Sequence, residues 1–172
     1  EIDYVYPAHD SALLTLTKER ARLHAAVVTS AEETVEICRS KNKTYEYLAG
    51  AEYLPQSYPN ADAVPDYPVF IKPSVGQGAV GARRIDDRAH LDEALSDGVE
   101  YAICEYLPGE ELTVDCFTDR HGELRFVGPR SRARIRAGIS VRSVELAPDA
   151  GITAIAGDIN RRMSFNGAWF FQ

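Results

Sequence analysis

No run of apolar residues in this 172-residue chain approaches the roughly 18 that a membrane-spanning helix requires, and no secretory leader pattern opens it, so a soluble cytoplasmic protein is the expectation. Positive charge is also short. Against 26 Asp and Glu stand 19 Lys and Arg, a net charge of −7, which argues against a general nucleic-acid partner. The cysteines, Cys38, Cys104 and Cys116, form an odd set without metal-ligand spacing and read as reduced cytosolic thiols. His9, His24, His90 and His121 show no ligand pattern and read as surface or turn residues. There is no internal repeat, low-complexity tract or nucleophile triad. What remains, 45% hydrophobic and 26% charged, suits a globular protein of one domain or two small ones, a homo-oligomer included.

The most informative stretch is YPVFIKPSVGQGAVGARR, from Tyr67 to Arg84. Its alternation of Tyr67, Val69 and Ile71 with Pro68, Phe70 and Lys72 predicts a buried strand that leaves Lys72 at its exit. Gly76, Gly78 and Gly81 follow Pro73 with only small side chains at Ser74 and Ala79. Such a loop accepts positive φ and lets backbone N–H groups approach an anion, and a lysine beside it supplies a point charge. The same letters spell GxGxxG, but a dinucleotide fingerprint requires the loop to open directly into a helix. Here the first helical period begins at Asp87, so the pattern predicts strand, glycine flap, strand, helix. A tight hairpin without a ligand is the plainer alternative, against which stands the placement of Lys72 at a buried strand end.

In chain order, Ile2 to Tyr6 predicts a strand. Asp10 and Ser11 cap a helix through about His24, Ala26 to Thr29 a short strand, and Ser30 with Glu33 a capping box for a helix through about Arg39. Ser40 to Lys43 precede a helical piece from Thr44 to Ala49, and the proline-rich 51–66 segment reads as a linker at a subdomain boundary. Beyond the flap and the helix at Asp87, YAICEY (Tyr101 to Tyr106) and LTVDCF (Leu112 to Phe117) make a hairpin turned at Pro108 and Gly109, with a further strand over Leu124 to Val127. Arg130, Arg132, Arg134 and Arg136 recur at every second residue, one positive face if extended, suited to phosphate or carboxylate groups. For the outer two, a charge-guarded edge strand is the alternative. A strand through Leu146, a helix from about Pro148 to Met163 and a strand Ala168 to Phe171 complete the pattern, an α/β layout.

FIKPSVGQGAVG, ICEYLPGEELTVDCF and RSRARIRAGIS, in this order across about Lys41 to Phe171, resemble the ATP-grasp superfamily. The resemblance is to its branch of carbamoyl-phosphate synthase large subunits and carboxylate-amine ligases. It implies an α/β (α+β) ATP-grasp fold: an antiparallel sheet with a glycine flap, a small α/β subdomain and the end of a preceding Rossmann-like domain. The divisions would be 1–29 for that end, 30–66 for a small helical subdomain and linker, 67–107 for the flap subdomain, and 108–172 for an incomplete C-terminal subdomain.

By the same resemblance, Lys72 would contact the α-phosphate and adenine, and Lys41 the phosphates, with Lys43 the competing register because Ser40 stands where an aspartate is common. Gly76, Gly78, Ala79 and Gly81 would cover the β- and γ-phosphates, and Glu105 and Leu107 would hold the adenine edge through their backbone C=O and N–H groups, so that their side chains need not matter. Glu111 would accept from the ribose hydroxyls, with Glu110 a solvated turn residue, and Arg130 and Arg132 would serve catalysis on the acyl-phosphate side. The family's metal ligands have no counterpart in AWFFQ, and Asp115 and Glu145 are the wrong parts of the pattern. The implied reading is a piece of a longer protein whose Mg²⁺ ligands lie beyond Gln172. The implied function is ATP-dependent ligation of a small carboxylate to an amine or ammonia through an acyl phosphate. A non-catalytic ATP- or ADP-binding module and an NAD-dependent oxidoreductase remain as alternatives.

Overall fold

The computed structural model describes residues 1–136 and 139–172, with side chains described outside 135–139. β1 (Tyr4–Val5) pairs in parallel with β2 (Ala26–Val27), and between them run α1 (Asp10–Lys18) and a 3₁₀ turn at Arg20–Arg22. α2 (Glu32–Arg39) and α3 (Lys41–Tyr47) follow, then the short β3 (Ser57–Tyr58). β4 (Val69–Pro73), β5 (Arg83–Ile85), α4 (Arg88–Leu95) and β6 (Tyr101–Glu105) come next. The chain ends with β7 (Leu112–Thr118), β8 (Leu124–Arg136), β9 (Ile139–Glu145), α5 (Ala150–Met163) and β10 (Gly167–Phe171). No helix among the described residues is long and apolar enough to cross a membrane.

The chain divides into two compact units. The first comprises Glu1–Cys38, Glu111–Arg134 and Arg142–Gln172; the second comprises Arg39–Glu110 and Ile135–Val141. In the second unit β3, β6, β4 and β5 lie side by side in one sheet, with β4 antiparallel to both neighbours. The period-two pattern of β4 turns Val69 and Ile71 inward, 1% and 0% exposed, against Ile85, Leu91, Ala94 and Ile103. Full burial of a side chain such as Ile71 or Leu91 stabilises by about 1.5–3 kcal/mol each. Asp87 caps α4 by accepting from the His90 N–H at 2.9 Å, as its sequence position predicts.

The sheet of the first unit has the order β10, β7, β8, β9. Val114 and Cys116 pack on Ala156 of α5, with Trp169 and Phe171 beside them. Beneath this layer a buried polar cluster is fully matched: the Thr118 hydroxyl donates to Asn160 Oδ1 at 2.6 Å and accepts from Trp169 Nε1 at 2.9 Å.

Several sequence expectations are displaced. α1 stops at Lys18 rather than His24, and its N-cap is His9, whose Nδ1 accepts from the Ser11 N–H at 3.3 Å. Ser30 forms no capping box, because its hydroxyl accepts from the Asn166 N–H at 3.0 Å. α3 begins at Lys41 rather than Thr44, since Ser40 caps it by accepting from the Lys43 N–H at 3.3 Å. The 51–66 segment is packed: it contributes β3, and Tyr58, Ala61 and Val64 join the core cluster of their unit. The strand expected over Leu124 to Val127 and the arginine segment are one continuous strand, β8.

Candidate functional site

In the second unit the flap is the loop between β4 and β5, running from Ser74 to Ala82. Gly78, Ala79 and Gly81 hold φ of 66°, 56° and 77°, the left-handed region that glycine enters at no cost and alanine does not. At Gly81 glycine is required twice over, since a Cβ would meet Pro73 Cγ at 2.9 Å. Among the described residues the N–H groups of Gly76, Gly78, Ala79 and Gly81 make no hydrogen bond, so these donors are open. The chain then enters β5 and not a helix, which removes the GxGxxG oxidoreductase reading.

Lys72 lies half-buried in β4, opposite Ala102 of β6. Among the described residues it has no carboxylate and no hydrogen-bond acceptor; its ammonium sits over the Tyr45 ring, 5.2 Å from the centroid. The buried Cys104 is on the same side of the sheet. Burial pushes its thiol pKa up, and the Lys72 charge pulls it part of the way back.

α3 is joined to the flap root. Ser40 Oγ lies 2.9 Å from Ser74 Oγ, both buried, and the Lys41 N–H donates to the Ser74 carbonyl at 2.8 Å. The Lys41 Nζ reaches the Gly76 carbonyl at 3.5 Å, whereas Lys43 is exposed, so Lys41 is the one of the two that the fold brings to the flap. Tyr45, four residues on, lies on the same helical face.

At the end of β6 the Glu105 N–H donates to the Gln56 carbonyl at 2.9 Å, and the Glu105 carboxylate accepts from the Gln56 N–H at 2.8 Å. Its side chain is therefore engaged with the segment before β3. Leu107 is 60% exposed, and its backbone groups make no hydrogen bond among the described residues, leaving a donor and an acceptor for a planar edge.

In the first unit Glu111 pairs with Arg132, whose side chain is 9% exposed. Arg130 is gripped by Asp115, Nε to Oδ2 at 2.5 Å, and donates to Ser143 Oγ at 2.9 Å. Asp115, set aside on sequence, thus orients one of the two predicted catalytic arginines. Arg134 is exposed on the same strand, while the side chain of Arg136 lies outside the described residues. Among the described residues no group of three His, Cys, Asp or Glu could hold a metal ion, and the two acids in the arginine region, Glu111 and Asp115, are both engaged by guanidinium groups. Cys38, Cys104 and Cys116 are free thiols.

These features fit an adenine nucleotide: an unneutralised half-buried cation, open N–H donors on a glycine flap and an unpaired backbone edge. They do not fit Mg²⁺. Tyr45 and Asp115 escaped sequence reasoning. The signal for Tyr45 was its i+4 spacing from Lys41, hidden once α3 was begun at Thr44.

No family model matches the chain. It is 32% identical over 119 residues to the arginine-specific large chain of carbamoyl phosphate synthase of Bacillus subtilis, covering 62% of this chain and 11% of that protein. To 3-methyl-D-ornithine–L-lysine ligase of Methanosarcina mazei it is 36% identical over 88 residues, covering 51% of this chain and 22% of the other. The crystal structure of a biotin carboxylase–β,γ-ATP complex from Campylobacter jejuni matches 98% of this chain and 45% of its own length with a TM-score of 0.79 at 17% identity. The chain therefore spans about a tenth to a fifth of the two curated relatives.

Proposed function

On the premise that the chain has the ATP-grasp fold, we propose that it carries nucleotide-binding residues of an ATP-dependent ligase that joins a carboxylate to an amine or ammonia. The observation that carries this reading is Lys72: a half-buried ammonium beside an open glycine flap, with no carboxylate among the described residues to neutralise it. A cation so placed costs desolvation that an incoming phosphate offsets. The finer reading, chemistry like that of carbamoyl-phosphate synthase, is supported by the Bacillus relative.

ATP supplies the phosphoryl group: a carboxylate oxygen bonds to the γ-phosphorus and ADP leaves, the nitrogen then bonds to the acyl carbon, phosphate leaves, and the nitrogen sheds a proton. The chain's own residues bind and orient. Lys72 and Lys41 place positive charge at the phosphates, and the Gly76, Gly78, Ala79 and Gly81 N–H groups cradle them. The Glu105 and Leu107 backbones hold the adenine edge. Of the first unit, the resemblance gives Glu111 the ribose hydroxyls and Arg130 and Arg132 the acyl phosphate, roles each would take only by giving up its present ion-pair partner. Positioning and electrostatics suffice for phosphoryl transfer, so no nucleophilic side chain is needed. Magnesium, which the resemblance implies, finds no fitting donor set among the described residues, and no step depends on it.

A thermal-shift titration with ADP, a non-hydrolysable ATP analogue and NAD tests the reading. A ligand at a hundredfold its Kd stabilises by ~2.7 kcal/mol, or ~5–10 °C at this size. The adenine di- or triphosphate should raise the midpoint of the parent and raise that of Lys72→Met markedly less, the weaker binding remaining measurable by calorimetry. Equal rises in parent and variant, or a response to NAD alone, would overturn it.

A further inference from the structure

We propose that Tyr45 is a positioning residue whose ring holds the Lys72 ammonium in place for an anionic ligand. The inference rests on the reading of Lys72 as a phosphate-binding residue and goes beyond it by naming what keeps that cation where it is.

A half-buried lysine must replace part of its lost hydration. Lys72 does so with one described contact, the face of Tyr45 at 5.2 Å from the centroid. The choice of partner has a consequence. A carboxylate would fix the ammonium but cancel its charge, and an arriving phosphate would have to displace it. An aromatic face attracts the cation through its quadrupole, carries no net charge, and leaves the ammonium's three donors for other acceptors. Such a site is preorganised without being neutralised.

The ring is itself well anchored. Tyr45 is half-buried, and burial pushes its hydroxyl pKa upward, so the side chain stays neutral and adds no competing negative charge. The hydroxyl interacts with the buried Cys104 thiol. α3 is tied to the flap root through the Ser40–Ser74 hydroxyl pair, and its first residue, Lys41, reaches the Gly76 carbonyl. One face of one short helix thus sets Lys41 at the flap and supports Lys72 from beneath, at positions i and i+4.

The test compares Tyr45→Phe, which keeps the ring and loses the hydroxyl, with Tyr45→Leu, which keeps apolar bulk and loses the ring, in the parent and in Lys72→Met. ADP affinity is measured by calorimetry, and the Lys72 ε-methylene resonance, assigned by its loss in Lys72→Met, is read by NMR for the upfield shift that a ring beneath it produces. We expect Tyr45→Phe to bind ADP within about twofold of the parent and Tyr45→Leu about fivefold more weakly. In the Lys72→Met background Tyr45→Leu should have no further effect. The ε-methylene shift should survive in Tyr45→Phe and vanish in Tyr45→Leu. Equal losses from Phe and Leu, or the same loss from Leu with and without Lys72, would overturn the role. If the parent binds no adenine nucleotide, the ligase reading falls, and the resonance decides alone: a shift dependent on the ring upholds the positioning, and an unchanged one refutes it.

Discussion

Replacing Thr118 by valine isolates the polar cluster of the first unit. The side chain is 0% exposed, and valine keeps its shape while deleting a hydroxyl that donates to Asn160 Oδ1 at 2.6 Å and accepts from Trp169 Nε1 at 2.9 Å. Two hydrogen bonds are lost at about 1 kcal/mol net each. Trp169 is only half-buried, so its N–H can turn to water, but Asn160 is buried and its other amide end is committed to the Gly122 carbonyl at 3.0 Å. Leaving Oδ1 unmatched adds about 1 kcal/mol, for a total near 2–3 kcal/mol. Thr118→Ser is the control, since it keeps the hydroxyl and loses one methyl, worth about 0.8 kcal/mol. Trp169 is the sole tryptophan, so urea unfolding followed by its fluorescence reports on this unit. If valine costs no more than serine, methyl packing rather than the hydroxyl holds the cluster, and the reasoning is wrong.

Three further outcomes are expected. Gly81→Ala forces a side chain into the left-handed region at 77° and against Pro73, and should destabilise the β4–β5 hairpin by about 1–2 kcal/mol; hydrogen exchange at the Ile85 amide is the readout, with unchanged protection counting against the strain. Ser40→Ala removes both the α3 cap and the bond to Ser74, and should cost about 1–2 kcal/mol in denaturant unfolding, where a change under half that would show the pair to be dispensable. Asp119 is held down from the ordinary 3.8 to about 2, first by its hydrogen bond from Arg125 and then by the Glu123 and His121 N–H groups. Because the folded value is depressed, this stabilisation is full above pH 3.8 and disappears as pH falls toward 2. Asp119→Asn should flatten that window of a pH–stability profile, and an unaltered profile would refute the assignment.

How far the sequence could be read depended on how local each cause is. The strand, flap, strand and helix from Val69 to Leu95 were legible because prolines, glycines and the Asp87 cap act within a few residues of themselves. Ser30 was misread because its hydroxyl partner, Asn166, is 136 positions away, and a capping box is only a local pattern. The Ser-Lys-Asn-Lys run reads as preceding its helix although the Ser40 cap on the Lys43 N–H is local; what the sequence hides is the buried partner that anchors Ser40, which is Ser74, 34 positions on. Pro55, Pro59 and Pro65 suggested a linker, yet Tyr58 and Val64 between them face a core built from β4, β6 and α4. The arginine pattern was visible, but not which acids grip it. Those pairings depend on the register of β7 against β8, which places Thr113 opposite Arg130 and slips at Phe117 and Thr118.

The chain's division has a consequence in time. The second unit is nearly one continuous run, Arg39–Glu110, whereas the first is assembled from three separated runs. The pairing of β4 with β5 closes only the flap between them, but β10 must find β7 across the length from Val114 to Phe171, and Asn166 must find Ser30. Local pairing is faster than distant pairing, and a loop already compacted costs less to close than a flexible one. The flap-bearing run should therefore collapse first and shorten the closure that joins the earlier and later runs of the first unit. A deletion inside it would then slow the appearance of native Trp169 fluorescence on refolding, though Trp169 belongs to the other unit.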